Sequence, residues 1–417
     1  MLSLLREKNF RLLWLGQIFS QFGDRMLQLI LVALAAAAEP GSSLILAKVM
    51  TLTSLPALVM GPFAGAYVDR WDRKRTMILC DLIRVAAILS LPAMAVPGRR
   101  IPLYLDIFLI FAVGSFFLPA RLAIIPPLVP EDRLGKANAM FTASGMIGSA
   151  LSLLIGALLV EWVGTTRGCW INAAGYAMSA IFILGIRHAT QRRGTRERPS
   201  TRFLLAEVWE GLRELWKHRM TRRVVGLLGL LLFGAGASFV VATVLVQRWL
   251  GTVTKDLGFL SFWCGIGMFL GTAAYGRWAA RRSKRWVLGF SFLGAGLALG
   301  LFLGAVVVLK SGAAASIAAV LLGMCVSPAG LVANTLVHEA HPERFHGRMF
   351  SSLGLVVNLS LIGSMLGAGW VGQIFGQERL LGVIGALFAL AGSALLYYSS
   401  WETQRSPLPR RILNPKS

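Results

Sequence analysis

The chain has 417 residues, 56% hydrophobic and only 15% charged, and apolar runs of membrane-crossing length recur from end to end. That excludes a soluble globular core and predicts an all-α membrane protein. A net charge of +23 would suggest nucleic acid in a soluble chain, but no basic domain interleaved with aromatics is present to bind it.

The first apolar run follows Arg6, Lys8 and Arg11 and ends at Ala35 to Ala38, as a secretory leader might. Gln17, Gln21, Asp24 and Arg25 interrupt it and it is too long, so it reads as a retained first helix, roughly 11–38. Helix 2 is predicted over roughly 43–68, and helix 3 runs to about Ala95. The stretch Pro97-Gly98-Arg99-Arg100 makes a turn. Helix 4 reaches about Ile125, helix 5 spans about Asn138 to Val163, and helix 6 about Cys169 to Ile186.

A polar segment, Arg187 to Arg223, then divides the chain near its midpoint. Leu205, Val208, Leu212 and Leu215 recur at helical spacing beside Trp209 and Trp216, predicting an amphipathic helix on the membrane surface. Six further helices are predicted over roughly 224–249, 257–280, 286–309, 313–337, 347–375 and 379–400. The predicted units are therefore an N-terminal six-helix bundle 1–187, a cytoplasmic linker 188–222, a C-terminal six-helix bundle 223–400 and a basic cytoplasmic tail 401–417. With the N-terminus inside, about 32 of the 42 Lys and Arg fall on the cytoplasmic side and about 8 outside, with Arg25 and Arg84 in spans. The excess orients the protein and meets anionic lipid.

The two halves echo each other. Pro130-Glu131-x-x-x-Gly135-Lys136 precedes helix 5, and Pro342-Glu343-x-x-x-Gly347-Arg348 precedes helix 11. Ala66-Tyr67 and Ala274-Tyr275 are each followed by Arg-Trp and a basic cluster. Repeats in matching order predict two bundles related by an axis along the membrane normal.

Between helices 2 and 3, Gly65-x-x-x-Asp69-Arg70-x-x-Arg73-Lys74 resembles the signature loop of major facilitator superfamily transporters, departing from it where Asp72 replaces a glycine. The stretch Asn9 to Gln17 before Gly23-Asp24 resembles the start of that family's drug- and siderophore-exporting branch. So do Phe117-Leu118-Pro119-Ala120-Arg121, Leu128-Val129-Pro130 and Ala137-Asn138-Ala139. Macrolide and enterobactin exporters belong to that branch, and lysophospholipid transporters share part of the pattern. The resemblance implies the major facilitator fold, with twelve transmembrane helices in two pseudo-symmetric bundles. It also implies a gate in which Gly65, Asp69, Arg70, Arg73 and Lys74 take part. Asp69 would accept hydrogen bonds near Gly347 and Arg348 when the inner side is closed. The alternative is a static surface ion pair worth under about 1 kcal/mol.

Asp24 lies near the bilayer midplane, counting about 1.5 Å per residue from Arg11. A carboxylate there costs at least about 2.5–3.5 kcal/mol unless protonated, paired or hydrated. It is the candidate proton carrier; the alternative is a permanent ion pair with Arg84. Gln17, Gln21 and Asp24 share one helical face and suggest the wall of a watery cavity. Arg84, Asn334 and Asn358 are its candidate partners, the alternative for each asparagine being a hydrogen bond between helices. Asp81 and Arg84 can pair within helix 3. Asp106 and Glu161, near the outer edge, read as solvated.

Gly145, Gly148 and Gly156 of helix 5 permit close packing, without the Gly-Pro step expected of an antiporter. Cys80, Cys169, Cys264 and Cys325 read as packing residues. His338, His341 and His346 lack convincing metal spacing, no nucleotide loop is present, and no catalytic constellation forms; no cofactor and no enzyme activity are expected. The expected function is export of an amphipathic or hydrophobic organic compound by proton antiport, from a monomer in the cell membrane with both termini cytoplasmic. A lysophospholipid flippase and a non-transporting scaffold or sensor are the rivals.

Overall fold

The structure is a computed structural model. It describes residues 2–68, 70–96, 98–187, 209–210, 213, 216–217, 219–279, 282–339 and 346–405. Among these residues the chain is helical and carries no strand. The membrane-crossing helices are α1 (Lys8–Ala38), α2 (Ser43–Val68), α3 (Arg73–Met94) and α4 (Arg100–Ile124). A 51-residue helix, Leu134–Leu184, follows. Gly164 breaks it with φ 80° and ψ 170°, giving α5 (134–163) and α6 (165–184). The second half holds α7 (Arg219–Leu250), α8 (Lys255–Ala274), α9 (Lys284–Leu303), α10 (Gly312–Glu339), α11 (His346–Phe375) and α12 (Gln377–Arg405).

Among the described residues twelve helices thus run between the two ends of the bundle, and both ends of the described chain lie at one of them. We call that end proximal and the opposite end distal. The six distal turns are tight. Each carries one residue at positive φ: Gly41, Gly98, Gly164, Gly251, Gly376 and, alone without glycine's freedom, Lys310 at φ 48°. At the proximal end Asp72 caps α3, its Oδ1 accepting from the backbone N–H of Arg75 at 2.8 Å. The residue that departs from the family loop is therefore a helix cap. Exposed tryptophans sit at both ends, Trp162, Trp170 and Trp370 distally and Trp71, Trp278 and Trp286 proximally. This is the distribution expected of rings anchored at two membrane interfaces.

Two large hydrophobic cores form. One unites α1 to α6 around Met26, Ile30, Ile88 and Tyr176 and takes in Val240 and Val244 of α7; the other unites α7 to α12 around Val241, Phe292, Ala295 and Leu381. The halves meet along α2–α11 and α5–α8, and their closest approaches are distal. Ser43 Oγ donates to the carbonyl of Gly369 at 2.8 Å, and Gln373 Nε2 donates to Ser42 Oγ at 3.0 Å. A Cβ on Gly369 would collide with Ala47, and one on Gly258 with Ala157 and the carbonyl of Leu153. Small residues let these backbones touch. Gly61 of α2, toward the proximal end, has open space where a Cβ would go.

The predicted surface helix falls outside this picture, since Leu205, Val208, Leu212 and Leu215 are not among the described residues. Trp209 and Trp216 are described and exposed.

Candidate functional site

The polar residues of α1, α3 and α6 converge inside the first half. α1 supplies Asp24, α3 supplies Asp81 and Arg84, and α6 supplies Asn172, Tyr176 and Ser179. The Arg84 guanidinium stands 3.7 Å from Asp24 Oδ1 and 3.7 Å from Asp81 Oδ1. Its carbon lies 5.1 Å from the Tyr176 ring centre and 5.3 Å from that of Phe117. Two carboxylates and two aromatic faces thus surround one buried cation, which offsets the cost of removing it from water. Gly114 of α4 makes the room, because a Cβ there would overlap the guanidinium.

The two carboxylates differ. Asp81 is fully buried and accepts from Ser179 Oγ at 2.7 Å. Asp24 accepts from the Tyr176 hydroxyl at 2.6 Å, yet 48% of its side chain stays exposed, against 6% for Arg84. Gly23, beside Asp24, admits the Tyr176 ring, to which a Cβ would approach within 2.8 Å. Asn172 Nδ2 donates to the carbonyl of Gly23 at 2.7 Å and ties α6 to α1 at the same level. Arg121 of α4 is close enough to Asp24 to feel its charge. Asp24 is therefore a half-exposed carboxylate held against a buried cation.

The ion pair of Asp24 with Arg84, the alternative to a proton carrier, is present, and so is the pairing of Asp81 with Arg84. The other candidates make different contacts. Gln17 is not a cavity wall: it is 2% exposed, and its Nε2 donates to the carbonyl of Phe141 at 3.4 Å between α1 and α5. Gln21 lies against Gly145 and Gly148 of α5, and its Oε1 is buried without a hydrogen bond. Asn358 Nδ2 donates to the carbonyl of Gly354 at 2.9 Å, within its own helix. The side chain of Asn334 lies outside the described residues, as do those of His338, His341, His346 and Arg348.

The signature loop also changes meaning. Arg73 Nη1 donates to the carbonyl of Ala123 in the last turn of α4, and Lys74 Nζ to that of Ile186 just past α6, both at 2.7 Å. These cations satisfy orphan carbonyls at helix C-termini inside one half. In this arrangement they bind α3 to its neighbours within the first half. Gly65 is exposed, with open space where a Cβ would go; the backbone N–H of Arg70 donates to the carbonyl of Tyr67 at 3.1 Å. Asp69 lies outside the described residues.

Asp106 and Glu161 are not simply solvated. Asp106 accepts from Ser90 Oγ at 2.7 Å, and Glu161 accepts from the first residues of α8. Glu161 lines a distal cavity of about 810 Å3, together with Ala33, Ala37, Gln247, Arg248 and Thr252.

The sequence reading missed Asn172, Tyr176 and Ser179. Their separations of four and three repeat those of Gln17, Gln21 and Asp24, so the same one-face rule would have found them.

A family model described as Major Facilitator Superfamily matches residues 13–360. Macrolide efflux protein A of Streptococcus pyogenes is 29% identical over 235 residues, 56% of each chain. The multidrug efflux pump Tap of Mycolicibacterium fortuitum is 24% identical over 324 residues, 75% of this chain and 77% of its own. Among solved structures, a mutant of the nucleoside transporter NupG superposes with a TM-score of 0.75 at 14% identity, covering 92% of this chain and 99% of that one. That likeness speaks for the fold alone.

Proposed function

Since this chain belongs to the major facilitator superfamily, and is thus a multi-pass membrane transporter, we propose that it exports an amphipathic or hydrophobic organic compound, of the drug or siderophore class, from the cell in exchange for protons. Efflux proteins among its relatives support the direction and the cargo class. The single observation that carries the coupling is Asp24, a half-exposed carboxylate facing a buried guanidinium at 3.7 Å. A proton on Asp24 removes one of the two charges that hold Arg84, so protonation and the packing of α1, α3 and α6 are linked.

The proposed units are a bundle over 1–187 and another over 223–400, joined by the linker 188–222 and followed by the basic tail 401–417. They rock against each other by alternating access. The distal hydrogen bonds and glycine contacts between the halves support an inward-open arrangement. Here the proximal end is cytoplasmic, as the excess of Lys and Arg suggests. In this reading Asp24 and Arg84 shape the central site, with Gln21 at its edge and Asn358 facing it from α11. The carrier sits in the cell membrane as a monomer and takes protons and an organic solute as its ligands.

The test is a substrate screen in a strain stripped of its own efflux pumps. Expression should raise the tolerated concentration of a macrolide or another amphipathic compound several-fold, and collapsing the proton gradient should abolish the gain. Accumulation unchanged for every amphipathic compound, with the protein in the membrane, would reject export.

A further inference from the structure

Glu161 stands near the distal end of α5, well away from the Asp24 site, and the transport reading above gives it no part. Its Oε2 accepts three hydrogen bonds from the other half: from Thr254 N–H at 2.9 Å, Thr254 Oγ–H at 3.0 Å and Lys255 N–H at 3.3 Å. The Thr254 hydroxyl is also 3.0 Å from the carbonyl of Ala157, one turn earlier in α5. Thr254 is 1% exposed. One turn on, Gly258 packs without clearance against Leu153 and Ala157. A carboxylate of the first bundle thus caps the N-terminus of a helix of the second.

A negative charge suits that position. The first N–H groups of α8 have no partner within their helix, and the helix dipole favours an anion there. Hydrogen bonds to a charged oxygen are about twice as strong as those to a neutral one. A proton on Glu161 would remove the charge and weaken all three contacts at once. Glu161 also lines the distal cavity, so water can deliver that proton.

We propose that Glu161 is a proton-released latch: ionised, it holds the distal ends of the two bundles together, and protonated from the distal side it lets them part. The inference rests on the alternating-access reading but not on Asp24. The charged groups around it are few. Arg248 of α7 lines the same cavity, its guanidinium carbon 5.7 Å from the Trp249 ring centre. Lys255 and Asp256 lie in the first turn of α8, where Asp256 accepts from Thr252 Oγ at 2.8 Å. Among the described residues, α1, α6 and α12 bring only uncharged groups to the cavity, such as Ala33, Thr165 and Gln377.

Spin labels on Ile101→Cys and Val308→Cys, both exposed distally on opposite bundles, report the opening as a distance distribution. The native cysteines are first replaced, and the full chain is held in lipid nanodiscs. The wild type should gain a longer-distance population as pH falls from about 6 to about 3, because the three donors favour the ionised carboxylate. Glu161→Gln should show that population at both pH values, with the response lost. Thr254→Val, which removes one donor and leaves the carboxylate, should raise the open fraction while keeping the response. Asp24→Asn should respond like the wild type. A response kept in Glu161→Gln but lost in Asp24→Asn would assign it to the central site and overturn the latch. A distribution in Glu161→Gln that matches the wild type at both pH values would overturn it too.

Discussion

Asp24→Asn should abolish net proton-driven efflux while leaving substrate exchange across the membrane intact. The substitution keeps the side chain's size and its ability to accept from Tyr176, whose hydroxyl lies 2.6 Å from Oδ1. What it removes is the charge facing Arg84 and the capacity to carry a proton. A carrier so changed can still turn over with substrate bound on both legs, but no proton gradient can bias it. Purified protein in proteoliposomes separates the two activities. Counterflow of labelled substrate should persist near the wild-type rate, and uptake driven by an imposed pH gradient should fall by at least about tenfold, the factor that corresponds to 1.4 kcal/mol of lost coupling. Full gradient-driven uptake with unchanged pH dependence would remove Asp24 from the coupling step.

The second large effect concerns stability. Arg84→Met should cost about 3–5 kcal/mol, because it strands a fully buried carboxylate, Asp81, without its counter-charge. Thermal melting in detergent should show a marked drop in midpoint, and the protein should accumulate poorly. Adding Asp81→Asn should recover much of the loss, since the amide needs no cation and still accepts from Ser179. The comparison is informative because both variants lack the same guanidinium. If the double variant melts no higher than Arg84→Met alone, the cost comes from lost packing against Phe117 and Tyr176 and not from stranded charge.

Much of the fold was legible because lipid imposes a simple rule. A backbone in hydrocarbon must satisfy its own hydrogen bonds, so each long apolar run becomes a helix. The predicted bounds of α1, α2 and α11 fall within a few residues of those observed. Single charges inside such runs are costly, and that marked Asp24 and Arg84. Side chains that point between two helices were harder to place. Gln17 and Asp24 lie on one face of α1, but the first is sealed against α5 and the second is half wet. Period alone cannot tell a helix neighbour from a cavity. The contacts of the loop cations were hard to read for a related reason. A motif gives the spacing of Arg73 and Lys74 but not which carbonyls they reach, and the reach is to α4 and α6 of their own half. Glu161 went unrecognised because its partners lie 93 and 94 residues along the chain, in the other bundle.

Proton movement driven by substrate tests the account most directly. Proteoliposomes with a pH-sensitive dye in the lumen and no imposed gradient are given substrate on one side. Exchange predicts that protons move opposite to the substrate, so the lumen acidifies as it loses substrate and turns alkaline as it gains it, with Asp24→Asn silent. Substrate that crosses in the wild type with no change in lumenal pH would contradict it.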